Sequence, residues 1–142
     1  MSKREQVLQA LFDKLSALPD AEVRRNISLP VKIPSSGLIV LRDGNIGEPE
    51  ILLSPVYYVF HHRAEIEVLV QKTDDADNDA KLDYLLEAVG HLLAVDTTLS
   101  GLIDHMHAEP PEFIEQPVEG GLTIKAAIVP VILEYVSDSN LT

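Results

Sequence analysis

Residues 58–70 read YVFHHRAEIEVLV, and their side chains alternate between apolar and polar along the stretch. The even-numbered positions run from Tyr58 and Phe60 to Val70, while the odd-numbered positions carry the charges, beginning with Arg63. A period of two predicts a β-strand with one buried and one solvent-facing side. At about 3.3 Å per residue this strand runs to roughly 40 Å, about twice the usual length. We expect it to extend beyond the core of a small domain and to meet another chain, as in an assembly protein.

The composition describes an acidic, cysteine-free protein. The absence of cysteine excludes disulfides, thiol catalysis and cysteine-ligated zinc. The 23 Asp and Glu outnumber the 11 Lys and Arg, which gives a net charge of −12. Because DNA phosphates are bound by clusters of Lys and Arg, we expect no specific nucleic-acid binding.

Neither a membrane span nor a signal peptide is predicted. The longest apolar run, Ala126 to Leu133, contains Pro130 and is too short to cross a bilayer. The first residues lead directly into an amphipathic segment without the apolar stretch of a signal peptide. We therefore expect no membrane partner and a cytoplasmic location where the protein is made.

Two segments place apolar side chains at helical spacing. The first runs from about Lys3 to Leu18, and the second from about Asp79 to Ala94. Asp75, Asp77 and Asn78 precede the second segment and offer oxygens that can cap its first amides.

A hairpin is predicted before the long strand. Leu38 to Leu41 form a short apolar run that predicts a strand. The Asp43-Gly44 pair that follows is a hairpin-turn signal, and Ile51 to Leu53 would be the returning strand.

A second long strand is predicted near the end of the chain, from Leu122 to Val136. Pro130 cannot donate to a ladder, so it implies an edge or a bulge. The alternation of apolar residues also shifts by one position after Pro130, and a bulge there would explain both facts. Val23 to Leu29 is a further candidate strand. Thr97 to Met106 is predicted to hold a turn and a strand, and His107 to Gly121 a loop.

The order of these elements is typical of an α+β domain. We expect a mostly antiparallel sheet with two long strands and two helices packed on one face. The length suits a single core, and no internal repeat divides the chain, so one domain is expected to cover residues 1–142.

Histidines give the best candidates for chemistry. His105 and His107 would share one strand face with Asp104 and Glu109 nearby, and two His with a carboxylate can bind zinc or iron. A polar strand end explains the same pattern. His62 falls on the apolar side of the long strand, where a core or interface histidine is expected.

No catalytic motif is present. The run Asp75 to Asp79 begins like a calcium loop, but Ala80 and Leu86 stand where that loop needs Gly and Glu. Nucleophile elbows, P-loops and dinucleotide fingerprints are absent. We therefore predict that the protein is not an enzyme and has no cofactor.

Several stretches match the pattern of one family. They are GLIVLRDG at residues 37–44, LSP at 53–55 leading to Tyr58, HRAE at 62–65, and the closing segment 124–135. On these stretches the chain resembles the tail terminator, or tail completion, proteins of long-tailed phages and prophages.

The resemblance implies a homohexameric ring on the head-proximal end of the tail tube. Such a ring stops tube growth and provides the surface for head docking, so its partners are the tail tube protein and the head–tail connector proteins. DNA passes through the lumen, and an acidic lumen would repel its phosphates. The expected location is the virion tail, after assembly in the bacterial host cytoplasm.

Some of the subunit contacts of such a ring are expected on the long strand and on the hairpin loop from Arg42 to Glu50. A heterologous ring joins one patch to a different patch on the next subunit. The candidate interface residues are Arg42, Asp43, Tyr58, Phe60 and His62.

Two alternatives remain open. The protein could be another neck-ring protein, for head closure or connector completion. It could instead be a small metal- or ligand-binding module or enzyme that uses His62, His105 and His107; a stoichiometric bound metal would favour this second alternative.

Overall fold

The computed structural model describes residues 1–28, 32–71, 78–116 and 123–142. Within these residues the chain forms two helices and seven strands. In chain order they are α1 (Lys3–Ser16), β1 (Glu22–Arg25), β2 (Leu38–Asn45), β3 (Glu50–Leu52), β4 (Tyr57–Gln71), α2 (Asn78–Val95), β5 (His105–Ala108), β6 (Glu112–Gln116) and β7 (Ile124–Ser137).

One sheet contains all seven strands, with β4 and β7 at its centre. β2 and β3 both pair with β4 on one side, and β5 and β6 both pair with β7 on the other. β1 lies outside β2 and makes the one parallel pairing among the described residues. The predicted α+β fold, with two long strands in a mostly antiparallel sheet, is confirmed.

Both helices bury their apolar sides against one face of the sheet. The alternation of β4 is as predicted, since its even-numbered side chains from Phe60 onward are buried beneath the helices. This main core joins residues from α1, α2, β4 and β7, including Leu8, Leu11, Leu15, Leu82, Leu85, Val89, Phe60, Ile66, Val68, Val131, Leu133 and Tyr135.

The helix predictions hold closely. The Ser2 hydroxyl accepts a hydrogen bond from the Glu5 amide at 3.1 Å and caps α1. Asn78 is the first residue of α2 and is buried. Asp75 and Asp77, expected to cap this helix, lie outside the described residues.

Replacing Gly90 with Ala is expected to stabilise the protein by about 0.5–1 kcal/mol. Gly90 lies inside α2, and a Cβ added there meets no atom within 4 Å. Alanine restricts the unfolded chain more than glycine does and is the better helix former. Thermal unfolding of Gly90→Ala should show a raised midpoint; an unchanged or lowered midpoint would contradict this explanation.

The predicted Asp43-Gly44 hairpin turn is wrong. β2 continues through both residues to Asn45 and pairs with β4, with a register shift between Arg42 and Asn45. Gly44 has a φ of +70°, a conformation that suits a bulge as well as a turn, so the dipeptide alone could not distinguish them. The strand 50–52 returns on β4 instead, across the turn that contains Ser54.

The predicted bulge at Pro130 is also wrong, because β4 and β7 pair without interruption from Tyr58↔Ser137 to Gln71↔Ile124. The Pro130 carbonyl accepts a hydrogen bond from the Glu109 amide at 2.8 Å, in the break between β5 and β6. Its missing N–H would face the same break, where no ladder bond is lost.

The change of phase along β7 has a different cause, which is a second small core on the other face of the sheet. There Ile124 is buried with residues of β2 and β4, and Ala126 packs against them. Its members are Ile33, Leu38, Val40, Leu69 and Ile124.

Three further predictions differ in extent from the structure. The candidate strand at 23–29 is β1, which ends at Arg25; Leu29 lies outside the described residues. The turn and strand expected at 97–106 are present, with β5 extending to Ala108. The loop predicted at 107–121 contains the end of β5 and all of β6, and residues 117–122 lie outside the described part, as does Leu122 at the predicted start of β7.

Candidate functional site

Within the described residues, the largest group of exposed apolar side chains lies on a hairpin, residues 46–57, which we call the arm. It contains β3, the turn that follows, and the first residue of β4. Among the described residues, eleven large apolar side chains are exposed, and five of them lie within residues 51–57. These five are Ile51, Leu52, Leu53, Val56 and Tyr57, and Leu53 is 77% exposed.

The arm extends past the rest of the sheet. The register of β2 on β4 begins at Arg63, whereas β3 pairs with residues 57–59. On the other side, the register of β5 on β7 begins at Glu134, so β4 and β7 continue beyond it. The exposed part of the arm, residues 51–57, therefore lies beyond the pairing of β2 with β4 and of β5 with β7.

β3 also presents an open edge. Within the described residues it pairs with β4 alone, so its other side has no strand partner. Proteins usually protect such edges with charge, proline or a covering element, since an apolar edge readily pairs with another chain. An open apolar edge on a projecting hairpin is thus a surface suited to contact with another protein.

A buried hydrogen-bond chain fixes the root of the arm. The Nε2 atom of His62 lies 2.6 Å from the Asp43 carbonyl oxygen, in the β2 bulge. The Nδ1 atom of the same ring lies 2.8 Å from the Tyr135 hydroxyl. Because a carbonyl can only accept, Nε2 carries the proton of the neutral ring, and Nδ1 accepts from the tyrosine.

An ion-pair network continues from the bulge to α1. The Arg25 Nε donates to Asp43 Oδ1 at 3.0 Å, and its Nη2 donates to Glu5 Oε2 at 2.9 Å. The hydrogen bond from Arg25 lowers the pKa of Glu5, and the Glu5 partner raises the pKa of Arg25. Side chains of β1 and β4 therefore bond the bulge directly, and they are bonded in turn by side chains of α1 and β7.

Burial governs the protonation of the two aromatic partners. It lowers the pKa of His62 from its usual 6.5, and the hydrogen bond to the Asp43 carbonyl opposes this only in part. It also raises the pKa of Tyr135 to about 12. At neutral pH both side chains are therefore uncharged.

Replacing Tyr135 with Phe should cost about 1–3 kcal/mol of unfolding free energy. The change removes the only atom of Tyr135 that donates to His62, and it leaves a buried ring nitrogen without that donor. Denaturant unfolding measures the loss. Tyr84→Phe is the matched control, because the Tyr84 hydroxyl bonds Asp20 at the surface, and its loss should cost less than about 0.5 kcal/mol. Equal losses in the two variants would contradict this account.

The structure corrects two of the predicted interface residues. Phe60 is 2% exposed and His62 is 1% exposed, so both side chains pack inside the subunit, where a partner cannot contact them. The sequence pattern placed them on the apolar face of β4, and that face is covered by the protein's own helices.

The other three predicted residues are at least partly accessible. Asp43 sits in the bulge beside His62, and Tyr58 is half-buried next to the main core. Arg42 donates to Glu67 Oε1 at 3.1 Å and to the Ile27 carbonyl. These three residues lie near the root of the arm rather than on its tip, and their role in subunit contact stays a prediction.

Sequence reasoning missed the apolar residues of the arm itself. The pattern predicts a returning strand for Leu52 and Leu53, makes no prediction for Val56, and does not indicate that these side chains are exposed. The available signal was a run of large apolar residues on both sides of Ser54-Pro55, too short to form a core strand of its own.

The candidate histidines do not come together. His105 and His107 stack on the exposed side of β5 with ring centroids 5.8 Å apart, whereas His62 points into the core on the opposite face. His61 lies 3.7 Å from Glu134. In the part of the chain that the structure describes, no three His, Asp or Glu side chains are arranged to hold a metal ion.

Neither helix in the described parts of the chain is long and apolar enough to cross a bilayer. Comparison with known protein families gives no match, and comparison with curated proteins gives none either.

Proposed function

We propose that this protein is a tail terminator of a long-tailed phage or prophage. In this role it forms a hexameric ring on the head-proximal end of the tail tube, stops tube growth and offers the docking surface for the head. The observation that carries the proposal is the arm, whose open edge and five exposed apolar side chains suit contact with another subunit. The resemblance at residues 37–44, 53–55, 62–65 and 124–135 implies that this contact builds a hexameric ring on a tail tube.

The position of the arm suits a ring. It projects from one end of the sheet, so it can contact a surface of the next subunit that differs from itself. A contact of this heterologous kind closes into a ring when the rotation between subunits permits. Burying a side chain such as Leu53 gains about 1.5–3 kcal/mol, and each subunit of a closed ring makes such a contact with both neighbours.

The net negative charge of the protein is consistent with a conduit for DNA. With a net charge of −12, a ring of these subunits carries a strong negative field. Such a field repels phosphates and lets DNA pass without adhering. The proposed partners are the tail tube protein and the head–tail connector proteins, and the proposed location is the virion tail.

Another neck-ring protein is the second candidate, because the same arm would serve a head-closure or connector-completion ring. The two roles differ in the surface that the ring binds. A terminator binds the end of a tail tube, whereas a head-closure ring binds the portal side of a filled head.

Native mass spectrometry across a concentration series tests the proposed assembly. We expect a discrete hexamer to appear as concentration rises. A monomer at every concentration, together with a stoichiometric metal by elemental analysis, would favour a metal-binding module instead.

A further inference from the structure

β1 presents an open edge on the outer side of the sheet, beyond β2. The amides of Glu22 and Asn26 donate to two carbonyl oxygens on the β2 side, at 3.2 and 2.9 Å. Because the backbone groups of successive strand residues point in opposite directions, those of Val23 and Arg25 point away from β2. Within the described residues no strand pairs with this outer side of β1, so it can accept an added strand.

A pocket lies beside this edge, and we call it the β1 pocket. Its apolar part is formed by Ile27 and Leu38, which belong to the small core on the sheet face opposite the helices. The exposed residues Arg24 and Lys32 also line it. Among the described lining residues Glu22 is the only acid, and it accepts a hydrogen bond from Arg24 at 2.6 Å. Two cations and one acid give this lining a net positive charge, although the protein as a whole carries −12.

The arm has the opposite charge. The charged residues among 46–57 are Glu48 and Glu50, and both are exposed. Alternation along β3 places Glu50 and Leu52 on one face of the strand and Ile51 on the other. A surface that matches this face of the arm offers a cation next to an apolar contact, and the β1 pocket offers both.

The arm and the β1 pocket lie far apart within one subunit. Ile51 of the arm pairs with Tyr58. Val23 of β1 is aligned, through β2, with Val68. Tyr58 and Val68 are ten residues apart on the same strand, which corresponds to about 33 Å. The arm therefore cannot reach the β1 pocket of its own subunit, and the two surfaces form the kind of unlike pair that a heterologous contact needs.

We propose that the arm of one subunit docks on the β1 edge of a second copy of this chain. β3 adds to β1 as a further strand, Glu50 lies beside Arg24 and Lys32, and Leu52 enters the β1 pocket. The proposal rests on the proposed function, because it takes the arm as the subunit contact, and it names the surface that receives the arm.

The edge of β6 is the strongest alternative receiver. Its Phe113 and Ile114 are 64% and 40% exposed, and within the described residues β6 pairs with β7 alone. This strand also carries Glu112 and Glu115, however, and their charges repel those of the arm. Charge complementarity therefore favours the β1 edge.

Disulfide trapping on the full chain tests the contact, and the natural sequence contains no cysteine that could interfere. In the double variant Leu52→Cys/Ile27→Cys the two thiols cannot join within one subunit, because a disulfide needs Cα atoms within about 7 Å. We expect oxidation to link subunits into a ladder on a non-reducing gel, and the ladder should end at six. The matched control Leu52→Cys/Phe113→Cys should give no ladder.

Charge reversal in the same cysteine background tests the recognition. Adding Arg24→Glu and Lys32→Glu should slow trapping roughly tenfold, because two attractive pairs become repulsive. Adding Glu48→Lys and Glu50→Lys as well should restore the original rate, which a merely structural effect of the first two changes would not allow. Trapping that is unaffected by the reversal would overturn the proposal.

The outcomes separate this contact from the proposed function. If the Leu52→Cys/Ile27→Cys ladder continues past six or stops before it, the contact stands and the hexameric ring is contradicted. If native mass spectrometry shows hexamers but only the Phe113→Cys pair gives a ladder, the ring stands and β6 receives the arm. Absence of a Leu52→Cys/Ile27→Cys ladder overturns the proposal, whether or not hexamers form.

Discussion

Leu53→Asp will prevent ring assembly while leaving the subunit folded. Leu53 lies at the tip of the arm and is 77% exposed, so the carboxylate meets only water in the isolated subunit. In the ring, the same position would bury a charge and lose the apolar contact. A central interface residue of this kind contributes about 2 kcal/mol or more, which corresponds to roughly 30-fold weaker association at each contact.

Val95→Asp is the matched control for this change. Val95 is also an exposed aliphatic residue, at 84%, but it ends α2 and lies outside the arm. Sedimentation velocity should show rings for the natural protein and for Val95→Asp, and monomers for Leu53→Asp. Rings of unchanged stability in Leu53→Asp, with normal circular dichroism, would show that the arm does not make the contact.

Gly44→Ala will destabilise the subunit by several kcal/mol. The glycine has a φ of +70°, and a Cβ added to it would lie 2.0 Å from the carbonyl oxygen of Arg63. A left-handed conformation alone costs a non-glycine residue about 1–2 kcal/mol. The clash adds to this cost, because a backbone carbonyl in the paired region of β4 cannot move aside as a flexible side chain can.

Gly47→Ala separates the two costs. Gly47 has a φ of +75°, but an added Cβ would meet its nearest atom, the His61 carbonyl oxygen, only at 4.0 Å. This variant should lose about 1–2 kcal/mol, which is the conformational cost alone. Denaturant unfolding of the two variants gives the comparison, and equal losses would remove the close approach from the explanation.

The periodic parts of the fold could be predicted from the sequence. The alternation at 58–70 and the helical spacing of leucines after Asn78 reflect burial on one side, and the structure reproduces both. The periodicity of apolar residues does not determine which short strands pair with each other. The Asp43-Gly44 dipeptide is compatible with a turn and with a bulge. The structure has a bulge there, because β2 continues along β4 and β3 pairs with the next part of the same strand.

The candidate site could not be located from the sequence alone. The long strand is expected to extend beyond the core, but its even-numbered side chains from Phe60 to Val70 are buried, and only its first residues adjoin the exposed arm. The choice of Phe60 and His62 as contact residues failed because an apolar position on a strand signals burial without saying whether the partner is the same chain or another. Conversely, Leu53 is exposed because it lies in the turn beyond the paired residues of β3 and β4, and no local pattern predicts where that pairing ends.

Electron microscopy of tail tubes tests the central claim most directly. Tubes would be assembled from the tube protein encoded by the same phage or prophage, with and without this protein. The account predicts shorter tubes that carry added ring density at one end, and no such density with Leu53→Asp. Tubes of unchanged length without density at either end would contradict it.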